Sequence, residues 1–421
     1  MEEKITTGRA VLVSIARSSE AMPACEESLR ELTRLLDTAG GETFATVVQV
    51  KENYDPATCI GRGKVQEVAD LCRKNDIHLA VFDFDLTPSQ IRNLEDAMEE
   101  VRVIDRSMLI LDIFAAHAVS GEGKLQVELA QLKYSAPRLT GQGAALSRLG
   151  GTIGTRGPGE TKLETDRRHI HRRVVALEAQ IAEMEKNRAT MRASRDRSGI
   201  PKVAIVGYTN AGKSTLLNRL TQAGVLSEDK LFATLDPTTR KLTLPEGESI
   251  LLTDTVGFIR NLPHHLIKAF RSTLDEAVYA DVLLLMADAS DPACLDQLEV
   301  TRRTLADLGA TGKPTLVVYN KADQIVGEKP FYTGAEEKCV FLSAKTGEGV
   351  NTLLATLEQL LREGKRRVLL CFGYEEQAAV AGVYQCGRVE QTEYREDGIY
   401  VTAVLDRKGI GRYRANLRKG E

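Results

Sequence analysis

Three features of this 421-residue chain predict an α/β protein of several domains. The first 120 residues alternate β-branched runs with amphipathic stretches, and a long heptad segment follows a glycine-rich one. Further on, the apolar run Val203–Val206 turns through glycines straight into a helical stretch. Strand and helix in strict alternation give a mostly parallel sheet covered by helices, and ligands of such sheets sit at the strands' carboxyl ends. The length allows roughly two to four domains.

In chain order, "RAVLVSIA" (Arg9–Ala16) reads as a strand. The helix that follows places Leu29, Leu32, Leu35 and Leu36 on one face and stops at Gly40-Gly41. "TFATVVQV" is a strand, "KVQEVADLCRKN" a helix and "HLAVFDFD" a strand; "TPSQIRNLEDAM" opens with a Thr cap and an early proline. "VRVID" then leads into "RSMLILDIFAAHA", closing an N-terminal α/β domain over residues 1–120. "GRGK" (Gly61–Lys64) is read as a glycine turn entering a helix. Thr58 occupies the place of a phosphate loop's first glycine and Val65 that of its metal-binding hydroxyl.

Residues 121–198 change character. "EGKLQVELAQLKYSAPRL" spaces Leu125, Leu129 and Leu132 helically and ends at Pro137; seven glycines between Gly141 and Gly159 then leave no apolar face. Leu163, Ile170, Leu177, Met184 and Met191 recur every seven residues, with Val174 and Ile181 in the companion seam. An antiparallel helical hairpin is expected, with the glycine-rich loop at its tip. Charge concentrates in the same place. Arg138–Arg197 carries thirteen Lys/Arg and seven Asp/Glu, a local +6 in a chain whose net charge is −3. Arg167-Arg168 and Arg172-Arg173 are its densest cluster. Charge runs are often only solvated helix faces, but a basic excess beside a glycine loop also suits a phosphate backbone.

Composition bounds the rest. With 43% hydrophobic and 27% charged residues the chain is a globular protein; no Trp and 5% aromatics argue against an aromatic base-stacking platform. Seven cysteines without a C-x-x-C pair fit neither a disulfide framework nor a zinc site, so reduced core thiols are expected. The longest apolar run, Val282–Ala287, is too short to span a bilayer, and "MEEKITTGRA" has no signal-like apolar region. A cytoplasmic monomer without integral membrane association is the expectation.

The chemistry lies in residues 199–365. Gly207, Tyr208, Thr209, Asn210, Ala211, Gly212, Lys213 and Ser214 match the phosphate-binding loop in full, with a strand before and a helix after. Glycines let the backbone N–H groups curl around a β-phosphate at a helix N-terminus, Lys213 supplies a charge to the β/γ oxygens, and the Ser214 hydroxyl suits Mg²⁺. In "LFATLDPTTR", Phe232, Ala233, Thr234, Leu235 and Asp236 form a polar loop in which Thr234 is the candidate to reach Mg²⁺ and the γ-phosphate, with Thr238 and Thr239 in reserve. Asp254, Thr255, Val256 and Gly257 end a strand, with Asp254 placed to hold the metal through water and the Gly257 N–H to sense the γ-phosphate. Asn320, Lys321, Ala322 and Asp323 end another; an Asp carboxylate accepts two hydrogen bonds from guanine that adenine does not offer. Ser343, Ala344 and Lys345 would meet the guanine oxygen through their backbone. The catalytic candidates are therefore Lys213, Thr234 and Gly257, the metal candidates Ser214 and Thr234, with GTP as substrate.

This region resembles the translation-factor-related GTPases. Over nearly the whole chain, Gly61–Lys64, Leu125–Leu139, Gly150–Arg168 and Phe232–Arg240 resemble the HflX family of ribosome-associated GTPases. The resemblance implies a P-loop GTPase domain, an N-terminal α/β domain with a helical hairpin, and binding to the large ribosomal subunit and its rRNA. It further implies a role in splitting or rescuing idle or stalled ribosomes. Lys162 departs from the glutamine more usual there, and the tail, residues 366–421, matches weakly and reads as a small C-terminal α/β domain. Phe258 stands where many GTPases carry a glutamine that orients water; phenylalanine has no hydrogen-bonding group, so it is expected to anchor the loop, with the ribosome completing the site. His264-His265, His169 and His171 are discounted as metal ligands, and Asp288 and Asp291 are read as strand-end and helix caps. A GTP-dependent regulatory adaptor gripping a protein partner with its hairpin is the alternative, and a P-loop kinase a weaker third.

Overall fold

The computed structural model describes residues 8–138, 162–197, 200–221, 231–232, 237–260, 263, 266, 271–325, 338–363 and 365–418. Contacts divide the chain into two units: Met1–Glu183 with Glu228–Asp236 and Val256–Thr273, and Met184–Ser227 with Pro237–Thr255 and Leu274–Glu421.

In the first unit, strands β1 (Arg9–Ala16), β2 (Glu42–Val50), β3 (Leu79–Phe82) and β4 (Arg102–Asp105) form a parallel sheet in the order β2-β1-β3-β4. Helices α1 (Met22–Thr38), α2 (Arg62–Asn75) and α3 (Pro88–Met98) connect them, as alternation predicts. All four α1 leucines of the expected apolar face are buried. The Thr87 cap of α3 is a reciprocal box: its hydroxyl accepts from Gln90 N at 3.3 Å, and the Gln90 side chain accepts from Thr87 N at 2.9 Å. Gly61 caps α2 and Lys64 pairs with Glu67 at 2.7 Å, so "GRGK" is an ordinary helix entry.

After β4, helix α4 (Arg106–His117) is capped by Asp105, whose Oδ1 accepts from Met108 N at 2.9 Å. Helix α5 (Gly121–Ser135) follows, and its end is tied back to the sheet. The buried Asp105 carboxylate accepts from the Tyr134 hydroxyl, from Leu86 N at 3.1 Å and from Arg138 at 3.2 Å, while Arg138 also donates to the Leu86 carbonyl at 3.0 Å. The glycine-rich loop lies outside the described residues. The heptad segment is one helix, α6 (Lys162–Arg197), with Leu177 fully buried and Ile170, Val174, Ile181 and Met184 half-buried. Arg173 grips Glu128 of α5 with two bonds of 2.6 and 2.7 Å, and Lys133 meets Glu178 at 2.7 Å.

The second unit holds two sheets. Strands β5 (Lys202–Gly207), β6 (Thr238–Thr243), β7 (Ser249–Asp254), β8 (Val282–Asp288), β9 (Thr315–Asn320) and β10 (Lys338–Phe341) lie in the order β10-β9-β8-β5-β7-β6. All are parallel to their neighbours except β6, which is antiparallel to β7. Helices α7 (Lys213–Thr221), α8 (Arg271–Tyr279), α9 (Cys294–Asp307) and α10 (Val350–Glu363) accompany it. Because the five parallel strands run one way, the ends of β5, β7, β8 and β9 share an edge, and the register Gly207↔Met286 and Asp288↔Asn320 fixes its depth. The chain then forms β11 (Lys365–Phe372), α11 (Gln377–Cys386), β12 (Gly387–Arg395), β13 (Gly398–Asp406), α12 (Arg407–Arg412) and β14 (Leu417–Arg418). This antiparallel sheet, β12-β13-β11-β14, has the split β-α-β arrangement around Leu370, Phe372, Val401 and Tyr413. The seven cysteines are free thiols; burial raises Cys59 to about 11 and Cys294 to about 12, which keeps both inert.

Candidate functional site

The phosphate loop leaves β5 at Gly207. A Cβ there would lie 2.1 Å from the Met286 carbonyl oxygen, so only glycine lets β5 and β8 stay in register at the turn. Gly212 (φ +87°) is equally constrained, since a Cβ would meet Asn320 Nδ2 at 2.3 Å. Asn210 adopts the left-handed conformation with φ 62°, which its short polar side chain tolerates. Tyr208, Thr209 and Ala211 are buried. Lys213, at the first turn of α7, is 7% exposed and donates to the carbonyls of Tyr208 (2.8 Å) and Gly207 (3.3 Å). Burial pushes its ammonium down to about 8, with the Asp254 carboxylate opposing.

Ser214 donates to Asp254 Oδ2 at 2.6 Å, and Asp254, at the end of β7, is fully buried. A hydroxyl and a carboxylate meeting in this way offer hard oxygen donors, the set that suits Mg²⁺ when a substrate phosphate completes it. Among the described residues no group of three His, Cys, Asp or Glu forms an all-protein metal cage. Thr255 is turned away from this edge, donating to the Ile205 carbonyl at 2.7 Å.

Asn320 has a second task that a base-recognition motif does not announce. Its Nδ2 donates to the Ala211 carbonyl at 2.8 Å and its Oδ1 accepts from Ala344 N at 2.9 Å, so one buried amide brackets the phosphate loop to the Ser343–Lys345 turn. Lys321, left-handed at φ 60°, pairs with Asp288 at 2.6 Å, and Ala322 N donates to the Leu342 carbonyl at 3.1 Å. Asp323 is exposed at this strand end. Ser343 is buried and accepts from Thr346 N at 3.1 Å, Lys345 is exposed, and Arg219 of α7 donates to the Thr346 carbonyl at 2.7 Å. Asp288 also accepts from Ser290 N at 3.0 Å, and Asp291 from Ala293 N at 2.9 Å, the capping roles expected of them.

The remaining candidates divide. Ala233, Thr234, Leu235 and Asp236 lie outside the described residues, as do His264 and His265. The reserve candidates Thr238 and Thr239 both belong to β6, where Thr238 pairs with Asp254 in the ladder and the Thr239 hydroxyl meets that of Thr253 at 2.9 Å. In the first unit, Phe232 (φ 57°) is buried, as are Val256, Phe258 and Ile259. Phe258 is 1% exposed, which agrees with an apolar anchor and leaves it no contact with solvent water. His169 and His171 are exposed on α6.

A phosphate loop, a strand-end aspartate beside its serine and an Asn-Lys-Ala-Asp strand end on one edge of such a sheet belong together in one class, the P-loop GTPases. Comparison with known proteins is specific. The family described as GTP-binding GTPase N-terminal matches residues 26–115, GTP-binding GTPase Middle Region residues 117–195, and 50S ribosome-binding GTPase residues 202–321. The chain is 48% identical over 405 residues to GTPase HflX of Lacrimispora saccharolytica, covering 96% of this chain and 95% of that one. It is 42% identical over 375 residues to GTPase HflX of Escherichia coli, covering 88% of each. A solved GTP-binding protein from Sulfolobus solfataricus in complex with GDP is 25% identical, covers 84% of this chain and 98% of that one, and has a TM-score of 0.44. The chain belongs to the HflX family, and it binds and hydrolyses GTP.

Proposed function

We propose that the GTP-bound protein associates with the large ribosomal subunit, contacts its RNA, and splits or rescues stalled or idle ribosomes. The observation that carries this reading is the exposed row Arg167, Arg168 and Arg172 on α6, in the one strongly basic stretch of a chain with net charge −3. A dense phosphate backbone is the partner such a row fits. The description of the family matching residues 202–321, 50S ribosome-binding GTPase, supports the same partner. No helix among the described residues is long and apolar enough to cross a membrane, and we place the protein in the cytoplasm as a monomer.

Within the site, backbone N–H groups of Gly207–Ser214 cradle the phosphates and Lys213 exchanges its two carbonyl partners for β/γ oxygens. Ser214 and Thr234 would hold Mg²⁺, with Asp254 steadying it through water, and the ion would neutralise phosphate charge. The Gly257 N–H faces the γ-phosphate, Asp323 takes the two guanine donors, and Ser343, Ala344 and Lys345 present backbone to the guanine oxygen. Phe258 cannot order the attacking water, so isolated protein turns over slowly and the ribosome completes the site. Sedimentation with large subunits in a non-hydrolysable GTP analogue against GDP tests this. Analogue-dependent, salt-sensitive binding and faster hydrolysis on subunits are expected. Binding indifferent to the nucleotide refutes it, and capture of a ribosome-free protein instead would favour the adaptor.

A further inference from the structure

A strand at a sheet edge shows a row of unpaired N–H and C=O groups, which proteins usually blunt by shortness, by lysine or proline, or by a bulge. In the antiparallel sheet β12-β13-β11-β14 one edge, β14, is two residues long. The edge strand β6 of the neighbouring sheet carries Arg240 and Lys241. The other edge of the antiparallel sheet, β12, runs nine residues with neither lysine nor proline. Its one irregularity falls between Val389 and Gln391 and leaves residues 391–395 in regular pairing with β13. This open edge carries aromatic rings. Tyr394 of β12 is 72% exposed and Tyr384 of α11 58%. The Tyr384 hydroxyl meets that of Thr392 at 2.9 Å, and Thr392 and Tyr394, two positions apart on a strand, share a face. Both rings therefore stand on one side of the sheet at its edge. Tyr374, 47% exposed, donates to the Arg395 carbonyl at 2.7 Å and braces the end of the same strand. Charge at this end has one sign. Glu375 and Glu376 follow Tyr374, Glu396 and Asp397 form the turn after Arg395, and all four are exposed. Arg395 is matched by Glu393 at 2.5 Å and lies over the Tyr400 ring.

We infer that the β12 edge, with Tyr384 and Tyr394 beside it, docks an extended, basic protein segment by strand addition. Main-chain bonds to the free edge hold the segment, and its alternate side chains lie over the two rings. Its lysines or arginines meet the four carboxylates and the ring faces. Tyrosine is suited to the task, because it supplies a large contact area at little cost in rotamer entropy. The same rim selects against other occupants. Nucleic acid would bring phosphates to four carboxylates, and a second copy of this chain would bring the same four carboxylates to its own edge. Nothing in this docking depends on ribosome binding or on the basic residues of α6.

The test titrates the full chain into fluorescent probes and follows anisotropy. The probes are a peptide of alternating lysine and valine, the same peptide N-methylated at every second amide, a glutamate–valine counterpart, and an oligouridylate. The lysine–valine peptide is expected to bind, with the N-methylated form, the acidic peptide and the oligouridylate all far weaker. Tyr394→Ser, and separately Glu375→Lys with Glu396→Lys, should each weaken that binding about tenfold. Both variants change exposed side chains, so melting temperature and basal GTP hydrolysis should stay at the parent's values, which separates docking from folding. Failure of the basic peptide to bind, binding untouched by Tyr394→Ser, or equal binding of the N-methylated form overturns strand addition. Equal or tighter binding of the acidic peptide or the oligouridylate overturns the basic partner. A dimer of the parent chain in sedimentation that Tyr394→Ser dissociates would overturn it too, making a second copy the occupant.

Discussion

Replacing Asn320 with alanine is the most direct test of how the nucleotide edge is held. The substitution removes both side-chain bonds at once and strands the Ala211 carbonyl and the Ala344 N–H, in residues that are 0% and 3% exposed. An unsatisfied buried group costs about 1–3 kcal/mol, and partial relaxation brings the pair to roughly 2–4 kcal/mol. For a domain of this size about 2–4 °C of melting temperature accompanies each kcal/mol, so a fall of roughly 4–16 °C is expected. Affinity should drop for GDP and GTP alike, because the bracket joins the phosphate loop to the base-facing turn and both nucleotides use both. Gly212→Ala should reproduce the phenotype, since its Cβ would push into Asn320 Nδ2. Scanning calorimetry and fluorescent-nucleotide titration read the two effects. An Asn320→Ala protein that melts with the parent and binds GDP normally would refute the bracket.

Other outcomes follow from the same geometry. Lys213 sits at about 8 against an ordinary 10.5, and phosphate oxygens favour its charged form; GTP binding should therefore take up a proton near pH 8–9 and weaken as pH rises further, measurable by calorimetry in buffers of different ionisation heat. The same depressed value means that the unfolded chain holds the extra proton between about 8 and 10.5, so this group makes nucleotide-free protein more stable as pH rises through that window. Asp323→Asn should lose discrimination of GTP over ATP in competition binding, and a retained preference would contradict the guanine assignment. Arg167→Ala with Arg168→Ala should flatten the salt dependence of ribosome binding by about two in log–log slope, whereas Arg173→Ala, engaged with Glu128, should do less. Phe258→Gln places an amide in a position 1% exposed; it should lower melting temperature and leave single-turnover hydrolysis no faster, and a faster rate would show that the position reaches the nucleophile.

What was legible in the sequence is what contiguity encodes. Gly207–Ser214 needs only a strand, a tight turn and a helix in succession, and α1 shows its leucines at helical spacing because one face is buried. Side chains that act across long separations leave no such trace. Arg106 reads as the first residue of an apolar helix, yet its partners lie 75, 23 and 154 positions away at Glu31, Asp83 and Arg260. Asn320 was visible as part of a base-reading motif, but the bracket it forms depends on three strand ends arriving at one edge. Thr238 and Thr239 read as part of a polar loop because a polar loop and an edge strand have similar composition; the ladder to β7 is what places them in a strand.

The burial of Val256, Phe258 and Ile259 also bears on how a GTPase without a water-orienting glutamine can be a switch. These side chains are committed to packing, so the segment can report on nucleotide only through its backbone and through where that backbone is held. A ligand shifts a conformational equilibrium by no more than its differential affinity for the two states. If GTP favours one conformation of this segment, that same free energy is available to any partner that recognises that conformation. Linkage then requires reciprocity: whatever factor GTP adds to ribosome affinity, the ribosome adds to GTP affinity. A variant that lowers the preference for GTP should therefore shrink both factors together even where the basic face of α6 is untouched. A variant whose GTP preference falls while its nucleotide-dependent ribosome binding stays intact would show that the two are read by different parts of the chain.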